Sequence, residues 1–322
     1  MIYPWQTTQW NSLLDLKQQD RLPHALLFKG MAGTGKYDFA CQFARALLCK
    51  RVDSKGQACG QCDACQLIEA GTHPDFLQLA PEEPGKAIKV DEVRSLCQEM
   101  QLTSQYGGYK LVIINHADSM NINASNSLLK TLEEPTANSI LILVSSSPHR
   151  LPITIRSRCQ NVMFTSPDTA TALDWLQAHA CQQAETLLSL AHGSPLAALE
   201  LGESGDHEQR DTLVNAILAS SQDKPIVGHA ESLSKLHSER LLNWFYDWLT
   251  DLVNVQQGAE TSRLVHIDKV KELNQLAGKI TLKGLYLYMD QLNLIRRAQS
   301  IPMNTQLMWE DLLISWKQYI QR

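Results

Sequence analysis

Residues 30–37 read Gly-Met-Ala-Gly-Thr-Gly-Lys-Tyr, and this stretch decides the fold of the chain. It matches the P-loop pattern that binds phosphate groups, Gly-x-x-x-x-Gly-Lys followed by Ser or Thr, except that Tyr37 replaces the final hydroxyl residue, which holds magnesium. Residues 24–28 form an apolar run before the loop, and apolar residues at helical spacing follow it, as the motif requires of its strand and helix. We therefore expect an α/β fold with a parallel sheet. The candidate phosphate-binding residues are Gly30, Gly33, Thr34, Gly35 and Lys36.

The composition describes a globular protein of more than one domain. A chain of 322 residues has room for two or three domains. Its net charge of −5 argues against a protein that coats nucleic acid alone, because such binding depends on clustered Lys and Arg. No apolar run is long enough to span a bilayer, so we expect a cytoplasmic protein. In the cytoplasm the eight cysteines should stay reduced.

Four of these cysteines, Cys49, Cys59, Cys62 and Cys65, follow the pattern C-x9-C-x2-C-x2-C. Four thiolates are the tetrahedral set that structural zinc prefers, and such a set leaves no coordination position for catalysis. The sequence therefore predicts a structural Zn²⁺ site. The alternatives are four unrelated buried cysteines, or a site in which His73 replaces one sulfur.

The end of the apolar run at residues 110–114 is where a P-loop ATPase places its acidic residues. Here the run is followed by Asn115 and His116, neither of which is an anion at neutral pH. Asp118 is an alternative acid, displaced along the loop. His116 as a general base is a second alternative, and a loop histidine is the interpretation that we favour. The sequence thus lacks the usual magnesium ligand and the usual base.

The remaining periodicity predicts three domains. Further strands are expected at residues 75–79 and 139–144, and helices at residues 9–19 and 88–100. The predicted domains are an α/β domain at residues 1–165, a small helical domain at 166–206 and an all-α domain at 207–322. Aromatic stripes at helical spacing in residues 241–255 and 285–295 are interpreted as core.

An ordered set of motifs resembles the clamp-loader subunits of the AAA+ ATPase superfamily, as found in the bacterial DNA polymerase III holoenzyme. The set consists of residues 30–36, the cysteine cluster, Leu-Leu-Lys-Thr-Leu-Glu-Glu-Pro at residues 128–135 and Ser-Arg-Cys at residues 157–159. The resemblance implies that the first domain is an AAA+ P-loop domain with an inserted zinc module at residues 49–65. It implies that the other two domains are the family's lid and its collar, which joins subunits into a ring.

In this family the Ser-Arg-Cys motif carries an arginine finger that acts in trans on the ATP of the adjacent subunit, and Arg158 occupies that position. A surface salt bridge is the alternative role for Arg158. The family's first sensor falls at Ser145 or Ser146, and Leu196 stands where its second-sensor arginine is expected. The missing second-sensor arginine at Leu196, together with Tyr37, Asn115 and His116, favours a degenerate nucleotide site.

The resemblance therefore implies a non-hydrolysing structural subunit of a replicative clamp loader, a component of a DNA polymerase holoenzyme. Its expected partners are motor gamma or tau subunits and a delta subunit in a hetero-pentameric ring, with the sliding clamp and primed DNA reached through the complex. No membrane partner is expected. A motor-type ATPase and a zinc-dependent DNA-binding module are the rival functions. The sequence leaves two alternatives for the P-loop: it binds ATP passively, or it binds no nucleotide.

Overall fold

The computed structural model describes residues 2–83, 85–222, 225–297 and 303–320 of the chain. Positions 1 and 322, the outer limits of the first and third predicted domains, lie outside these residues. The chain divides into two compact units, Met1–Pro167 and Asp168–Arg322. The second unit contains the predicted collar and all of the predicted lid except residues 166–167, and the division between lid and collar at residue 206 stays a prediction.

The first unit is built on one five-stranded parallel sheet, which confirms the predicted α/β class. The strands are β1 (Ala25–Gly30), β2 (Phe76–Leu79), β3 (Lys110–Ile114), β4 (Ser139–Ser145) and β5 (Gln160–Phe164). Their order across the sheet is β2-β3-β4-β1-β5, and every neighbouring pair is parallel. Strands β3 and β4 are buried along their whole length, as expected of apolar strands with helices on both faces.

Seven helices accompany the sheet in the described part of this unit. They are α1 (Thr7–Gln18), α2 (Lys36–Leu48), α3 (Asp63–Glu69), α4 (Val90–Gln101), α5 (Ile122–Ser127), α6 (Leu129–Glu133) and α7 (Ile153–Arg156). Side chains alternate between the two faces of a strand, so Phe28 of β1 packs in the cluster that holds Phe39 and Phe43 of α2, whereas Leu27 packs in the cluster of α4 and α5. Each face of the sheet therefore has its own apolar layer.

The carboxyl ends of the parallel strands meet at one edge of the sheet. Lys29 at the end of β1 is paired with Ser145 of β4 and Met163 of β5, and Gly30 is paired with Phe164. The loop at residues 31–35 leaves β1 at this edge, where open α/β sheets bind their ligands. A nucleotide site is therefore expected at this edge of the sheet.

The second unit is helical throughout its described residues. Its helices are α8 (Thr169–Ala178), α9 (Ala184–Leu190), α10 (Pro195–Ser204), α11 (Gln209–Ser220), α12 (Val227–Ser234), α13 (Ser238–Gln256), α14 (Val270–Ala277), α15 (Leu282–Arg297) and α16 (Thr305–Ile320). Trp248 and Tyr288, one from each predicted stripe, are fully buried in one cluster, which confirms that the aromatic stripes are core. None of the helices in the described residues has the length and apolar content that a bilayer span requires.

Candidate functional site

The P-loop has the strand, loop and helix order that its sequence predicts. β1 ends at Gly30 and α2 begins at Lys36. A Cβ atom at Gly30 would lie 1.9 Å from the carbonyl oxygen of Phe164, so glycine is required where β1 passes β5. Gly35 has a left-handed backbone, with φ of 77°, at the turn into α2. Two of the three loop glycines are therefore explained by the backbone path alone.

The N-terminal segment is bonded to this loop, which the sequence did not reveal. Gln6 is completely buried, and its Nε2 donates to the carbonyl oxygens of Thr34 and Gly35, at 2.9 Å each. The indole Nε1 of Trp5 donates to the Thr34 carbonyl at 3.1 Å. The ring of Tyr3 is so close that a Cβ at Gly35 would lie 2.5 Å from it. These contacts fix the conformation of the loop.

The P-loop lysine is turned into its own loop. Lys36 is 5% exposed, and its Nζ donates to the carbonyl oxygen of Met31 at 2.5 Å. Burial lowers the pKa of Lys36 to about 8, against the opposing effect of the Asp118 carboxylate, which favours the charged form. The ammonium therefore still carries its charge at neutral pH. An ammonium has three N–H donors, so this bond leaves two of them for other acceptors such as phosphate oxygens.

The magnesium side of the site departs from a working ATPase. Tyr37 is half-buried against the core layer of α2, and burial raises its pKa to about 12, so the phenol stays neutral. Asn115 uses its side-chain oxygen to accept the backbone N–H of His116 at 3.0 Å. His116 is exposed in a turn, which favours the loop-histidine interpretation. Asp118 accepts the backbone N–H of Ser146 at 3.2 Å, so this carboxylate does reach the end of β4.

The four cysteines of the predicted zinc site lie together. Every Sγ atom of Cys49, Cys59, Cys62 and Cys65 is within 4.8 Å of the others. The Sγ atom of Cys62 lies 3.9 Å from that of Cys49 and 3.5 Å from that of Cys65. Sulfurs bonded to a tetrahedral zinc at about 2.3 Å stand roughly 3.8 Å apart, so the donor set fits this ion. His73 is not part of this group of donor atoms. Its Nδ1 accepts the backbone N–H of Asp75 at 3.1 Å.

The thiols of this cluster differ in acidity. Burial tends to raise the pKa of Cys62, but the backbone N–H groups of Cys65 and Lys50 donate to its sulfur and lower the pKa to about 6. Burial and the neighbouring Cys62 raise the pKa of Cys65 to about 12. Without a cation the cluster therefore retains protons, and binding of a metal dication would displace them. The arrangement suits a closed structural site.

The cysteine cluster is attached to the rest of the first unit through α1. The indole Nε1 of Trp10 donates to the Lys55 carbonyl at 2.9 Å, and the side chain of Leu14 packs so closely on Gly56 that a Cβ there would lie 2.5 Å from it. Helix α1 follows directly on the segment that contacts the P-loop. The loop at residues 53–57 therefore packs on the same helix that follows the N-terminal segment in contact with the P-loop.

Arg158 is held by a carboxylate of its own chain. Its Nη2 lies 2.7 Å from Oε1 of Glu133, and its Nη1 donates to the Thr154 carbonyl at 2.9 Å. The side chain of Arg158 remains 37% exposed. Glu133 was identified in the sequence only as part of the motif at residues 128–135. The ion pair was not predicted, because nothing in that motif indicates an interaction with residue 158. Leu196, on α10 of the second unit, supplies no charge at the position expected for the second sensor.

Comparisons with known proteins cover nearly the whole chain. The family model described as DNA polymerase III, delta subunit, matches residues 5–168, and the model of the C-terminal part of that subunit matches residues 204–318. DNA polymerase III subunit delta' of Pseudomonas aeruginosa is 37% identical over 98% of this chain and 97% of the relative. The same subunit of Escherichia coli is 31% identical over 99% of this chain and 96% of its own length.

Subunits named tau and a solved structure are also similar to this chain. DNA polymerase III subunit tau of Escherichia coli is 28% identical over 92% of this chain, which corresponds to 47% of the tau chain. A DNA polymerase III gamma subunit-related protein from Thermotoga maritima, solved as a crystal structure, superposes with a TM-score of 0.50 at 18% identity. That match covers 96% of this chain and 99% of the other, and it supports the fold alone.

Proposed function

Since the chain belongs to the family of DNA polymerase III subunits delta', we propose that it is the non-hydrolysing structural subunit of a replicative clamp loader. In this role it supplies Arg158 in trans to the ATP site of a neighbouring ATPase subunit while the sliding clamp is loaded onto primed DNA. Its proposed partners are gamma or tau motor subunits and a delta subunit in a hetero-pentameric ring. The proposed location is the cytoplasm.

The observation that supports the absence of hydrolysis is Tyr37, which stands where the P-loop pattern has a magnesium-holding hydroxyl. A hydrolysing P-loop directs its lysine to the β- and γ-phosphates and uses a hydroxyl to hold magnesium. Here Tyr37 is a neutral phenol packed in the core layer, so it supplies no aliphatic hydroxyl for magnesium. The loop keeps its backbone amides at a helix N-terminus, so a passively bound nucleotide is compatible with the proposal.

The proposed finger role of Arg158 is supported by its chemistry and accessibility. A guanidinium stays charged at physiological pH and forks onto two phosphate oxygens. The side chain is partly exposed, as contact with an adjacent subunit requires. An arginine finger supplied in trans is worth roughly 10³ to 10⁵ in rate in other nucleotide hydrolases. Arg158 is therefore the proposed catalytic residue of this chain, acting on a neighbour's substrate.

The cysteine cluster has a separate, structural role in this proposal. Cys49, Cys59, Cys62 and Cys65 would hold one Zn²⁺ and fix the loop at residues 53–57, which packs on α1. When bound, the ion supplies charge compensation for the thiolates and cross-links the module. The predicted lid at residues 166–206 and collar at residues 207–322 complete the proposed architecture.

A motor-type ATPase is the second candidate, and Asp118 is the observation that favours it. This carboxylate is near enough to Lys36 to stabilise the charged form of the lysine, and it bonds to Ser146 at the sensor position. An acid beside a P-loop lysine is part of a magnesium site in active enzymes. ATP turnover by the purified chain, abolished by Lys36→Ala, would favour this candidate over the non-hydrolysing subunit.

The main experiment compares wild type and Arg158→Ala in the complex reconstituted with motor and delta subunits, clamp and primed DNA. The variant should assemble normally and lower clamp-stimulated ATP hydrolysis by at least about tenfold, since a trans finger contributes roughly 10³ or more. Arg150→Ala, an arginine outside the Ser-Arg-Cys motif, is the matched control and should retain wild-type turnover. Normal turnover with Arg158→Ala would reject the finger role.

A further inference from the structure

The carboxylate of Glu133 and the guanidinium of Arg158 extend from backbone segments that are both firmly anchored. Glu133 ends α6 directly after Leu132, whose side chain is buried and whose carbonyl oxygen lies 3.1 Å from Nε2 of His24. Arg158 lies between the buried residues Ile155 and Cys159, immediately before β5. The two side chains therefore meet between fixed points of the same unit.

The contact restrains the guanidinium from two sides. Nη2 of Arg158 lies 2.7 Å from the Glu133 carboxylate, and Nη1 donates to the Thr154 carbonyl, one turn earlier in the chain. These two bonds use two of the five N–H groups of an arginine side chain. The orientation of the planar guanidinium is thus defined, while N–H groups are left for a further acceptor.

We infer that Glu133 is a positioning residue that holds Arg158 in the orientation in which it meets the neighbouring subunit's nucleotide, an inference that rests on the function proposed above. An unrestrained arginine samples many rotamers, and ordering it at the moment of reaction costs entropy. Groups that stabilise a transition state act best when they are oriented beforehand. Glu133 does not touch the nucleotide in this mechanism; it acts only through Arg158.

The exposure of the pair favours positioning over sequestration. The side chains of Arg158 and Glu133 are 37% and 51% exposed, so water screens their attraction. A screened pair of this kind contributes little to folding stability, and it competes only weakly with the multiple charges of a triphosphate. Glu133 therefore orients the guanidinium, and its carboxylate weakens the binding of phosphate by Arg158 only slightly.

The test uses the reconstituted complex with clamp and primed DNA, and it measures kcat and KM for ATP. Glu133→Ala should lower kcat about tenfold and change KM less than about twofold, because misorientation affects the transition state more than ground-state binding. Glu133→Gln keeps an oxygen that accepts from Nη2, so it should recover kcat to within about threefold of wild type. Adding Glu133→Ala to Arg158→Ala should cause no further loss, since both changes remove one function.

Glu134→Ala is the matched control, because the neighbouring carboxylate forms no ion pair with Arg158 within the described residues, and it should leave kcat unchanged. Thermal unfolding and assembly are measured for every variant. If Glu133→Ala fails to assemble, Glu133→Asp decides, since its carboxylate is one methylene shorter and should lower kcat by at least about threefold. Wild-type or increased kcat in Glu133→Ala, with Arg158→Ala impaired, would overturn the positioning role and leave the proposed function intact. Wild-type kcat in Arg158→Ala would instead reject the proposed function.

Discussion

Replacing Gln6 by Ala should loosen the P-loop, because this side chain makes three hydrogen bonds, two of them buried. Its Nε2 donates to the Thr34 and Gly35 carbonyls, and its Oε1 accepts the backbone N–H of Tyr3 at 3.3 Å. Both loop carbonyls keep another donor after the change, since Trp5 donates to Thr34 and the backbone N–H of Phe39 donates to Gly35. Neither acceptor is therefore left without a partner.

The expected cost follows from these bonds. Three hydrogen bonds at about 0.5–1.5 kcal/mol each give roughly 1.5–4.5 kcal/mol, and we expect the lower half of this range, roughly 2–3 kcal/mol, because no carbonyl is orphaned. In urea unfolding, a slope of about 2 kcal/mol per molar places the midpoint of the first unit roughly 1 M lower. Amide hydrogen exchange at residues 31–36 should accelerate at the same time.

The matched control for this prediction is Gln9→Ala, three residues away. Gln9 makes one exposed hydrogen bond, to the Met163 carbonyl, so its loss should cost no more than about 0.5 kcal/mol. If Gln6→Ala and Gln9→Ala have the same urea midpoint and the same amide exchange rates at residues 31–36, then Gln6 does not stabilise the P-loop. That result would contradict this prediction.

The remaining predictions concern the metal and the P-loop lysine. Metal analysis of the wild-type chain should find one zinc per chain, and Cys62→Ser should lose it together with stability, whereas Cys97→Ser, outside the cluster, should keep it. The pKa of Lys36 is lowered from 10.5 to about 8, so between these pH values the unfolded chain binds more protons and folding stability rises with pH. Chemical denaturation should show a smaller rise in Lys36→Met; an identical rise in both proteins would contradict the buried ammonium.

The sheet could be predicted as far as its strands are apolar. The runs at residues 110–114 and 139–144 are covered by helices on both faces, and their composition reflects that burial. Strand β5 was not predicted, because it lies at the edge of the sheet and begins with the exposed polar residues Gln160 and Asn161. Its pairing with β1 is a long-range contact that local composition does not encode.

In the candidate site, too, the features encoded by local sequence could be predicted, and those that depend on a distant partner could not. The cysteine cluster was predictable, since a C-x2-C spacing itself brings sulfurs to one ion. Gln6 and Glu133 were not, because each acquires its role from a partner distant in sequence, at Thr34 and Arg158 respectively. A buried glutamine near the N-terminus and a glutamate among surface acids have no periodic pattern that would single them out.

The P-loop residues have structural reasons to be present that do not depend on a nucleotide. Gly30 allows β1 to pass the Phe164 carbonyl, and Gly35 makes the turn into α2 beside the Tyr3 ring. Lys36 donates to the carbonyl of Met31, and its replacement would leave that acceptor to Thr34 alone. The motif by itself therefore does not imply ATP hydrolysis in this chain. The proposed absence of hydrolysis rests instead on the position after the lysine, where Tyr37 stands in place of the hydroxyl residue that the pattern requires.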